Sequence, residues 1–142
     1  MNNELIVANN PKSGVAEAIK TIRTNLLFSS IDEPVKSILM TSSMIGEGKS
    51  FVSANLAVAF AQAGVKVLIV DCDLRRGRQH KIFNIDNEQG LSNLLLDDVD
   101  KNYKKYIKKT RYENIYVLPM GIVPPNPSEL LASAKNKQLV KI

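Results

Sequence analysis

The sequence predicts an α/β fold in which a parallel sheet carries helices on both of its faces. Helical and strand-like segments alternate along the 142 residues, and the strand-like segments are apolar without alternation. Such continuous apolar runs are typical of strands that are covered on both faces. A glycine-containing loop also joins a predicted strand to a predicted helix. The length is suitable for one domain with one core.

The N-terminal part of the chain contains an arm, a helix and a strand in this interpretation. Residues 1–14 show no sustained periodicity and are expected to form the arm, and residues 15–142 are expected to form the folded domain. Residues 15–28 place apolar side chains at helical spacing. Residues 33–43, EPVKSILMTSS, follow with a short apolar run, which predicts a buried strand.

The central and C-terminal parts continue the alternation. Residues 49–64 predict a helix that is apolar on most sides and that ends at Gly64, a residue suited to a left-handed cap. Residues 65–73, VKVLIVDCD, and residues 114–121, NIYVLPMG, are the next strand candidates. A short helix capped by Ser92 is expected between these two strands.

The last predicted helix opens on a recognisable start signal. Asn126 is expected at the N-cap, Pro127 at the first helical position and Glu129 two positions later, an arrangement that resembles a capping box. Apolar positions continue from there to the end of the chain, which predicts one uninterrupted helix.

Composition narrows the possible classes of function. The net charge is +5, which suits an anionic ligand or an anionic membrane surface without proving either. Cys72 is the one cysteine, so an intrachain disulfide framework is excluded. The chain contains no apolar run near the roughly 20 residues that span a bilayer, and its start lacks the layout of a secretory signal. A cytoplasmic location is expected.

Much of the positive charge lies in residues 101–112, KNYKKYIKKTRY. Interleaved lysines and tyrosines are compatible with nucleic-acid or lipid binding. An amphipathic surface helix is favoured, because Tyr103, Tyr106 and Ile107 fall on one helical face. No nucleic-acid partner is therefore expected.

The segment 43–50, SMIGEGKS, nearly matches the phosphate-binding pattern G-x-x-x-x-G-K-S/T, with Ser43 at the first glycine position. Its glycines would let backbone N–H groups face a phosphate, and the following helix would add partial positive charge. Lys49 would reach the terminal phosphates, and the Ser50 hydroxyl would ligate Mg²⁺. The predicted nucleotide-binding residues are Ser43, Gly46, Glu47, Gly48, Lys49, Ser50 and Phe51.

Two aspartates, Asp71 and Asp73, follow the predicted second strand. Ligands of open α/β sheets gather at this end of the strands. Both carboxylates could face a metal ion and the γ-phosphate, or they could be turn aspartates paired with Arg75 or Arg76. These arginines and Arg78 could clamp a phosphate or bind a neighbouring subunit.

The succession of TSSMIGEGKS, NLAVAFAQAGVKVLIVDCDLRR, HKIFN, GLSNLL, VLPMG and PPNPSELL resembles the cytoplasmic ATPase domain of bacterial tyrosine kinases. These kinases control capsular and exopolysaccharide synthesis, and the resemblance runs from about residue 17 to the C-terminus. It implies a P-loop NTPase fold of the partition-ATPase branch, with ATP and Mg²⁺ as cofactors and autophosphorylation on tyrosine.

The resemblance also implies partners and roles. A transmembrane activator or polysaccharide chain-length regulator would hold the domain at the inner face of the membrane, and homo-oligomers would be possible. Lys49, Asp71 and Asp73 take the catalytic positions of the family. Ser50 and Asp71 take its metal-binding positions.

Glu17, Lys20 and Arg23 occupy the E-x-x-R-x-x-R motif through which the family assembles. Lys20 replaces the first arginine and loses its bidentate geometry. Three further positions depart from the family pattern: Ile45 and Gly77 stand where proline is usual, and Phe51 where threonine is usual.

The family pattern continues with a hydrophobic strand ending in Asp-Thr-Pro-Pro and with a tyrosine cluster, neither of which follows within the 142 residues. We therefore expect a domain that is incomplete at the C-terminus, with weak or no kinase activity alone. A non-catalytic nucleotide-binding module is one alternative. A partition-type ATPase is another, although Met44 stands where those proteins carry an additional lysine.

Overall fold

The computed structural model describes residues 3–141, which divide into two compact units at the Val67–Leu68 bond. Helices of the first unit are α1 (Ile6–Asn9), α2 (Gly14–Phe28) and α3 (Lys49–Gln62). Helices of the second unit are α4 (Gln79–Ile82), α5 (Leu91–Leu94), α6 (Val99–Tyr106), α7 (Pro127–Leu131) and α8 (Ala134–Val140). The strands are β1 (Val67–Val70), β2 (Lys108–Lys109) and β3 (Ile115–Leu118).

The two long helices of the first unit confirm their predicted positions. Helix α2 begins after Ser13, whose Oγ accepts a hydrogen bond from the Ala16 N–H at 3.1 Å. This cap satisfies one of the N–H groups that a helix start leaves open. Helix α3 is followed by Gly64 with a φ of +84°, the left-handed conformation expected there.

The N-terminal arm is anchored to helix α3. Leu5 and Val7 are buried, with 1% and 0% of their surface exposed, and helix α1 contacts both α2 and α3. Asn55 is fully buried and holds the arm by its backbone: its Oδ1 accepts the Val7 N–H at 3.0 Å, and its Nδ2 donates to the Glu4 carbonyl at 2.7 Å. A polar side chain inside an apolar helix thus replaces the hydrogen bonds that the arm backbone loses to burial.

We expect Asn55→Ala to lower the free energy of unfolding by about 1–3 kcal/mol, because it leaves the buried Val7 N–H without its acceptor. Chemical denaturation followed by circular dichroism measures the change. Asn25→Ala is the control, since Asn25 is exposed on α2 and exposed changes usually stay within about 0.5 kcal/mol. Equal midpoints for the two variants would contradict the anchoring role of Asn55.

The strand predicted within residues 33–43 does not form, and this prediction was wrong. Residues 34–42 have no strand or helix assignment, and Leu39 is 87% exposed. A strand exists only where a neighbouring strand accepts and donates its ladder hydrogen bonds. Within residues 3–66 no strand is present to supply that ladder, so an apolar sequence alone does not produce one.

The second unit contains a three-stranded sheet with the order β1-β3-β2. Strand β2 is antiparallel to β3, with Lys108 opposite Val117 and Lys109 opposite Tyr116, so the sheet is mixed. The sequence did not indicate this two-residue strand. Beyond the end of β1, the Asp71 N–H donates to the Leu118 carbonyl at 3.0 Å, which places the aspartate segment beside the end of β3.

Strand β1 is not covered on both faces, contrary to the prediction. Ile69 is 9% exposed, whereas Leu68 and Val70 are 46% and 38% exposed. Alternate residues of a strand lie on opposite faces, so one face of β1 is buried and the other is open. Cys72, two residues after Val70, is also exposed.

Helix α6 packs its aromatic face into the core of the second unit. Tyr106 is buried with leucines of α5, and Tyr103 and Ile107 pack against the same cluster. The Tyr106 hydroxyl donates to Asp97 Oδ2 at 2.7 Å, and this hydrogen bond is the main cause of the lowered pKa of Asp97. The amphipathic interpretation of residues 101–112 is confirmed for the part that α6 covers.

One predicted cap and the extent of one predicted helix differ from the structure. Gly90, not Ser92, precedes α5, and the Ser92 hydroxyl donates to the Ile122 carbonyl at 2.6 Å. The last helix is split into α7 and α8, because Ser133 starts a new helix by accepting the Asn136 N–H at 3.3 Å. In residues 3–141 no helix combines the length and apolar character needed to cross a bilayer.

Candidate functional site

The loop that precedes α3 is closed by the carboxylate of Glu47. Its Oε2 accepts hydrogen bonds from the Ser43 N–H at 3.1 Å and the Met44 N–H at 3.3 Å. The Ser42 hydroxyl adds a bond of 3.0 Å to the Met44 carbonyl. Glu47, a predicted nucleotide-binding residue, therefore holds the loop closed through hydrogen bonds to two backbone N–H groups.

The conformation of the loop depends on its two glycines. Gly46 and Gly48 have φ values of +82° and +84°, which L side chains rarely adopt, and the space beside both Cα atoms is open. Gly48 is the N-cap of α3, and its carbonyl accepts the Val52 N–H at 2.9 Å. The N–H groups of Gly46, Gly48 and Lys49 have no acceptor within residues 3–141. Open N–H groups at the start of a 14-residue helix form a site that favours anions.

Lys49 is the first residue of α3 and Ser50 the second, as the motif predicts. The Lys49 side chain is half-buried and forms no ion pair with a carboxylate of the described chain. Its ammonium group is therefore available to an anion held by the loop. Phe51 is half-buried, and its carbonyl accepts a hydrogen bond of 2.9 Å from Asn55 Nδ2, so it links the loop helix to the anchored arm.

The three residues of the assembly motif have partners inside the first unit. Glu17 and Lys20 form an ion pair at 3.2 Å, and Lys20 Nζ also donates to the Pro11 carbonyl at 2.8 Å. Arg23 Nη1 donates to the Ala59 carbonyl on α3 at 2.9 Å. Helix α2 thus uses this motif to pack on its own unit, and Glu17 remains exposed at the surface.

Asp71 lies just beyond the end of β1 in the second unit and is only 7% exposed. Its Oδ1 accepts the Asp73 N–H at 3.2 Å and its Oδ2 accepts the Gln79 N–H at 3.1 Å. Burial raises the pKa of Asp71, and the two backbone N–H groups oppose that rise without cancelling it. The result is a buried acid whose charge a nearby cation would stabilise.

Asp73 acts as a turn aspartate. Its Oδ1 accepts the backbone N–H groups of Arg75 at 3.3 Å and Arg76 at 2.9 Å. The expected pairing with an arginine therefore involves the backbone and leaves the guanidinium groups out. This turn fixes the chain that follows the two aspartates.

Gly77 explains one departure from the family pattern. A Cβ atom at this position would lie 2.6 Å from Asp71 Oδ2 and 2.8 Å from the Asp73 carbonyl oxygen. Proline also carries a Cβ, so this packing of the turn against Asp71 requires glycine. The sequence reasoning missed the Gln79 N–H as a partner of Asp71, because no local pattern marks a backbone donor eight residues away.

The predicted site residues fall into two groups. Residues 43–51 lie together in the first unit, and Asp71 and Asp73 lie together in the second unit, bound to the same turn. A loop closed by a Gly-Lys-Ser sequence at the start of a helix, in a chain with an α/β sheet, defines the class of P-loop domains that bind nucleotides.

The chain belongs to the family described as AAA domain, which matches residues 35–141. CapB of Staphylococcus aureus is 49% identical over 131 residues, covering 92% of this chain and 57% of CapB. The tyrosine-protein kinase YwqD of Bacillus subtilis is 42% identical over 139 residues, covering 98% of this chain and 58% of YwqD. The chain thus spans little more than half the length of these relatives.

Two solved structures are similar to this one. The crystal structure of the chimerical protein CapA2B2 superposes with a TM-score of 0.88 at 47% sequence identity. The match covers 98% of this chain and 60% of the CapA2B2 chain. The kinase domain of the Escherichia coli tyrosine kinase ETK superposes with a TM-score of 0.87 at 37% sequence identity. The match covers 96% of this chain and 53% of the ETK chain. These findings confirm the predicted α/β P-loop fold and the resemblance to bacterial tyrosine kinases.

Proposed function

We propose that this chain supplies the nucleotide-binding part of an ATP-dependent protein-tyrosine kinase that autophosphorylates and regulates capsular or exopolysaccharide synthesis. The observation that carries the proposal is the loop before α3, with open N–H groups at Gly46, Gly48 and Lys49 and the Lys49 ammonium at the same helix start. The tyrosine-kinase names of similar proteins supply the type of phosphate acceptor.

The triphosphate of ATP would be held by the loop N–H groups, and Lys49 would contact its terminal phosphates. Mg²⁺ would be held by the Ser50 hydroxyl and the Asp71 carboxylate, which are hard oxygen donors of the kind this ion prefers. The raised pKa of Asp71 fits this role, because a cation would favour its ionised form. When bound, Mg²⁺ would neutralise charge that develops on the phosphates.

Asp71 and Asp73 would orient the tyrosine hydroxyl and help to remove its proton. Glu17 and Lys20 would contact a neighbouring copy of the chain in a homo-oligomer, since both lie on α2 and Glu17 is exposed. A transmembrane activator or polysaccharide chain-length regulator would bring the domain to the inner face of the cell membrane.

A non-catalytic nucleotide-binding module is the second candidate, and one observation favours it. Both aspartates are engaged by backbone N–H groups of their own turn, so a purely structural role would account for their hydrogen bonds. A partition-type ATPase has less support, because Met44 replaces the additional loop lysine of those proteins.

The test compares the wild type with Asp71→Asn, using exposed Asp32→Asn as the matched control. We expect saturable ATP binding by calorimetry in all three proteins. Phosphotyrosine on the chain after incubation with Mg-ATP should be weak in the wild type and in the control. It should fall by about 100-fold or more in Asp71→Asn, as loss of an acid–base group predicts. If all three proteins bind ATP and none of them acquires phosphotyrosine, the non-catalytic nucleotide-binding module is established instead.

A further inference from the structure

The outward face of helix α6 carries three lysines. Lys101, Lys104 and Lys105 are all exposed, and their spacings of three and four residues place them on the same side of the helix. The opposite side is buried through Val99 and Tyr106. This eight-residue helix therefore separates an apolar inner face from a positively charged outer face.

The segment that follows α6 adds further positive charge. Lys109 in β2 and Arg111 shortly after it are both exposed. Strand β2 lies at an edge of the sheet, where a lysine also hinders edge-to-edge pairing with another chain. That role accounts for Lys109 but not for the lysines of α6. The five exposed cations are called the α6–β2 basic surface: Lys101, Lys104, Lys105, Lys109 and Arg111.

The fold neutralises little of the charge on the α6–β2 basic surface. Lys101 Nζ lies 3.6 Å from Asp98 Oδ2 in an exposed ion pair, a kind of contact that contributes little in water. Lys104, Lys105 and Lys109 form no ion pair within residues 3–141. Their ammonium groups are therefore available to an external anion.

The tyrosines among these cations are engaged by the fold, which favours a lipid surface over a nucleic acid. Proteins that bind single-stranded nucleic acids combine positive charge with aromatic side chains on which bases stack. Here Tyr106 is buried, Tyr103 packs against the same core, and Tyr112 makes an edge-to-face contact with Phe83 at 6.1 Å between ring centroids. Charge alone is left to recognise a partner. Clusters of about four to eight lysines and arginines on an amphipathic helix bind anionic lipids in this way.

We propose that the α6–β2 basic surface docks the chain on an anionic lipid bilayer, with its ammonium groups among the phosphates of the headgroups. The contact is electrostatic, since the aromatic side of α6 faces the core and does not enter the bilayer. The proposed function has a partner protein bring the domain to the membrane, whereas here the chain itself contacts lipid. The contact uses no residue of the loop before α3.

Flotation of the purified chain with lipid vesicles tests the proposal. We expect binding to vesicles of phosphatidylglycerol and phosphatidylcholine in equal parts to be at least about tenfold stronger than binding to phosphatidylcholine alone. Raising the salt from about 0.05 M to about 0.5 M should remove most of this difference, because salt screens exposed charges. Equal binding to the two kinds of vesicle, or binding to neither, would overturn the proposal. Stronger binding to a labelled single-stranded oligonucleotide at the same phosphate concentration would overturn the choice of lipid.

A triple variant that removes three unpaired lysines of this surface should bind the anionic vesicles at least about tenfold more weakly, since each cation near the bilayer contributes to binding. This variant is Lys104→Gln, Lys105→Gln, Lys109→Gln. The matched control removes the same charge from exposed positions of the first unit and should change binding less than about threefold. The control is Lys12→Gln, Lys36→Gln, Lys66→Gln. Equal weakening by both variants would show an effect of net charge and contradict the surface.

Arginine at the same three positions should preserve vesicle binding, because the positive charge is kept. This result would also show that the glutamine variant loses charge and not structure. Loss of binding in the arginine variant would contradict an electrostatic contact. Lys49→Met should leave vesicle binding unchanged, which separates failure here from failure of the nucleotide loop.

Discussion

Lys49→Met should weaken ATP binding by about 10- to 100-fold, because a hydrogen bond to a charged group contributes about 1.5–3 kcal/mol and 1.4 kcal/mol is tenfold. The Lys49 side chain starts at the first position of α3 and has no carboxylate partner in the described chain. Methionine keeps the length and apolar stem of lysine but cannot donate to a phosphate. The structure of the loop should survive, since Glu47 and the glycines hold it.

Isothermal calorimetry with Mg-ATP measures this change, and Lys66→Met is the matched control because Lys66 is exposed outside the loop. Lys49→Arg should retain more affinity than Lys49→Met, since it keeps the charge in a different geometry. Unchanged ATP affinity in Lys49→Met, with the protein folded, would remove the loop from the nucleotide site. Loss of affinity in Lys66→Met as well would point to a general charge effect.

The loop and its helix could be predicted because their determinants are local. The spacing of Gly46, Gly48 and Lys49 encodes a turn with left-handed backbone followed by a helix start, and the structure has both. Ser13 and Gly64 likewise act within a few residues of the helix ends that they close. Patterns of this kind need no information about distant segments.

Features that depend on distant partners could not be predicted from local patterns. The apolar segment 33–43 resembles a strand in composition, yet the structure supplies no ladder for it in its unit. Asn55 looks like an exposed polar residue in a helical pattern, but its partners lie 48 and 51 residues away. Long-range hydrogen bonds of this kind override local propensity.

The candidate site was predicted in part for the same reason. The position of Asp71 and Asp73 after the second predicted strand made them candidate functional residues, whereas the backbone donors that bind Asp71 became visible only in the folded turn. A cavity of the second unit is lined by Arg75 and Arg78 together with Met120, which belongs to a segment more than 40 residues later. Contacts with Met120 could not be read from the arginine run.

The packing of α5 onto the segment after β3 makes Gly90 the position where we expect the largest loss of stability. A Cβ atom at Gly90 would lie 2.5 Å from the Gly121 backbone nitrogen and 2.7 Å from the Pro119 carbonyl carbon. These are backbone atoms, so no side-chain rotation can make room. The same contact holds the Leu91 N–H to the Pro119 carbonyl at 2.7 Å and the Ser92 N–H to the Met120 carbonyl at 3.0 Å.

Gly90→Ala should therefore lower the free energy of unfolding of the second unit by about 3 kcal/mol or more, at the upper end of overpacking costs. Urea denaturation followed by the fluorescence of the tyrosines, all of which lie in that unit, measures the change. Gly14→Ala is the matched control, because it adds the same methyl group at the start of α2, where no atom lies within 4 Å of the added Cβ. Gly-to-Ala changes at unstrained sites usually stabilise a protein by about 0.4–1 kcal/mol. A Gly90→Ala protein that unfolds at the wild-type urea concentration would contradict the close approach of α5 to Pro119.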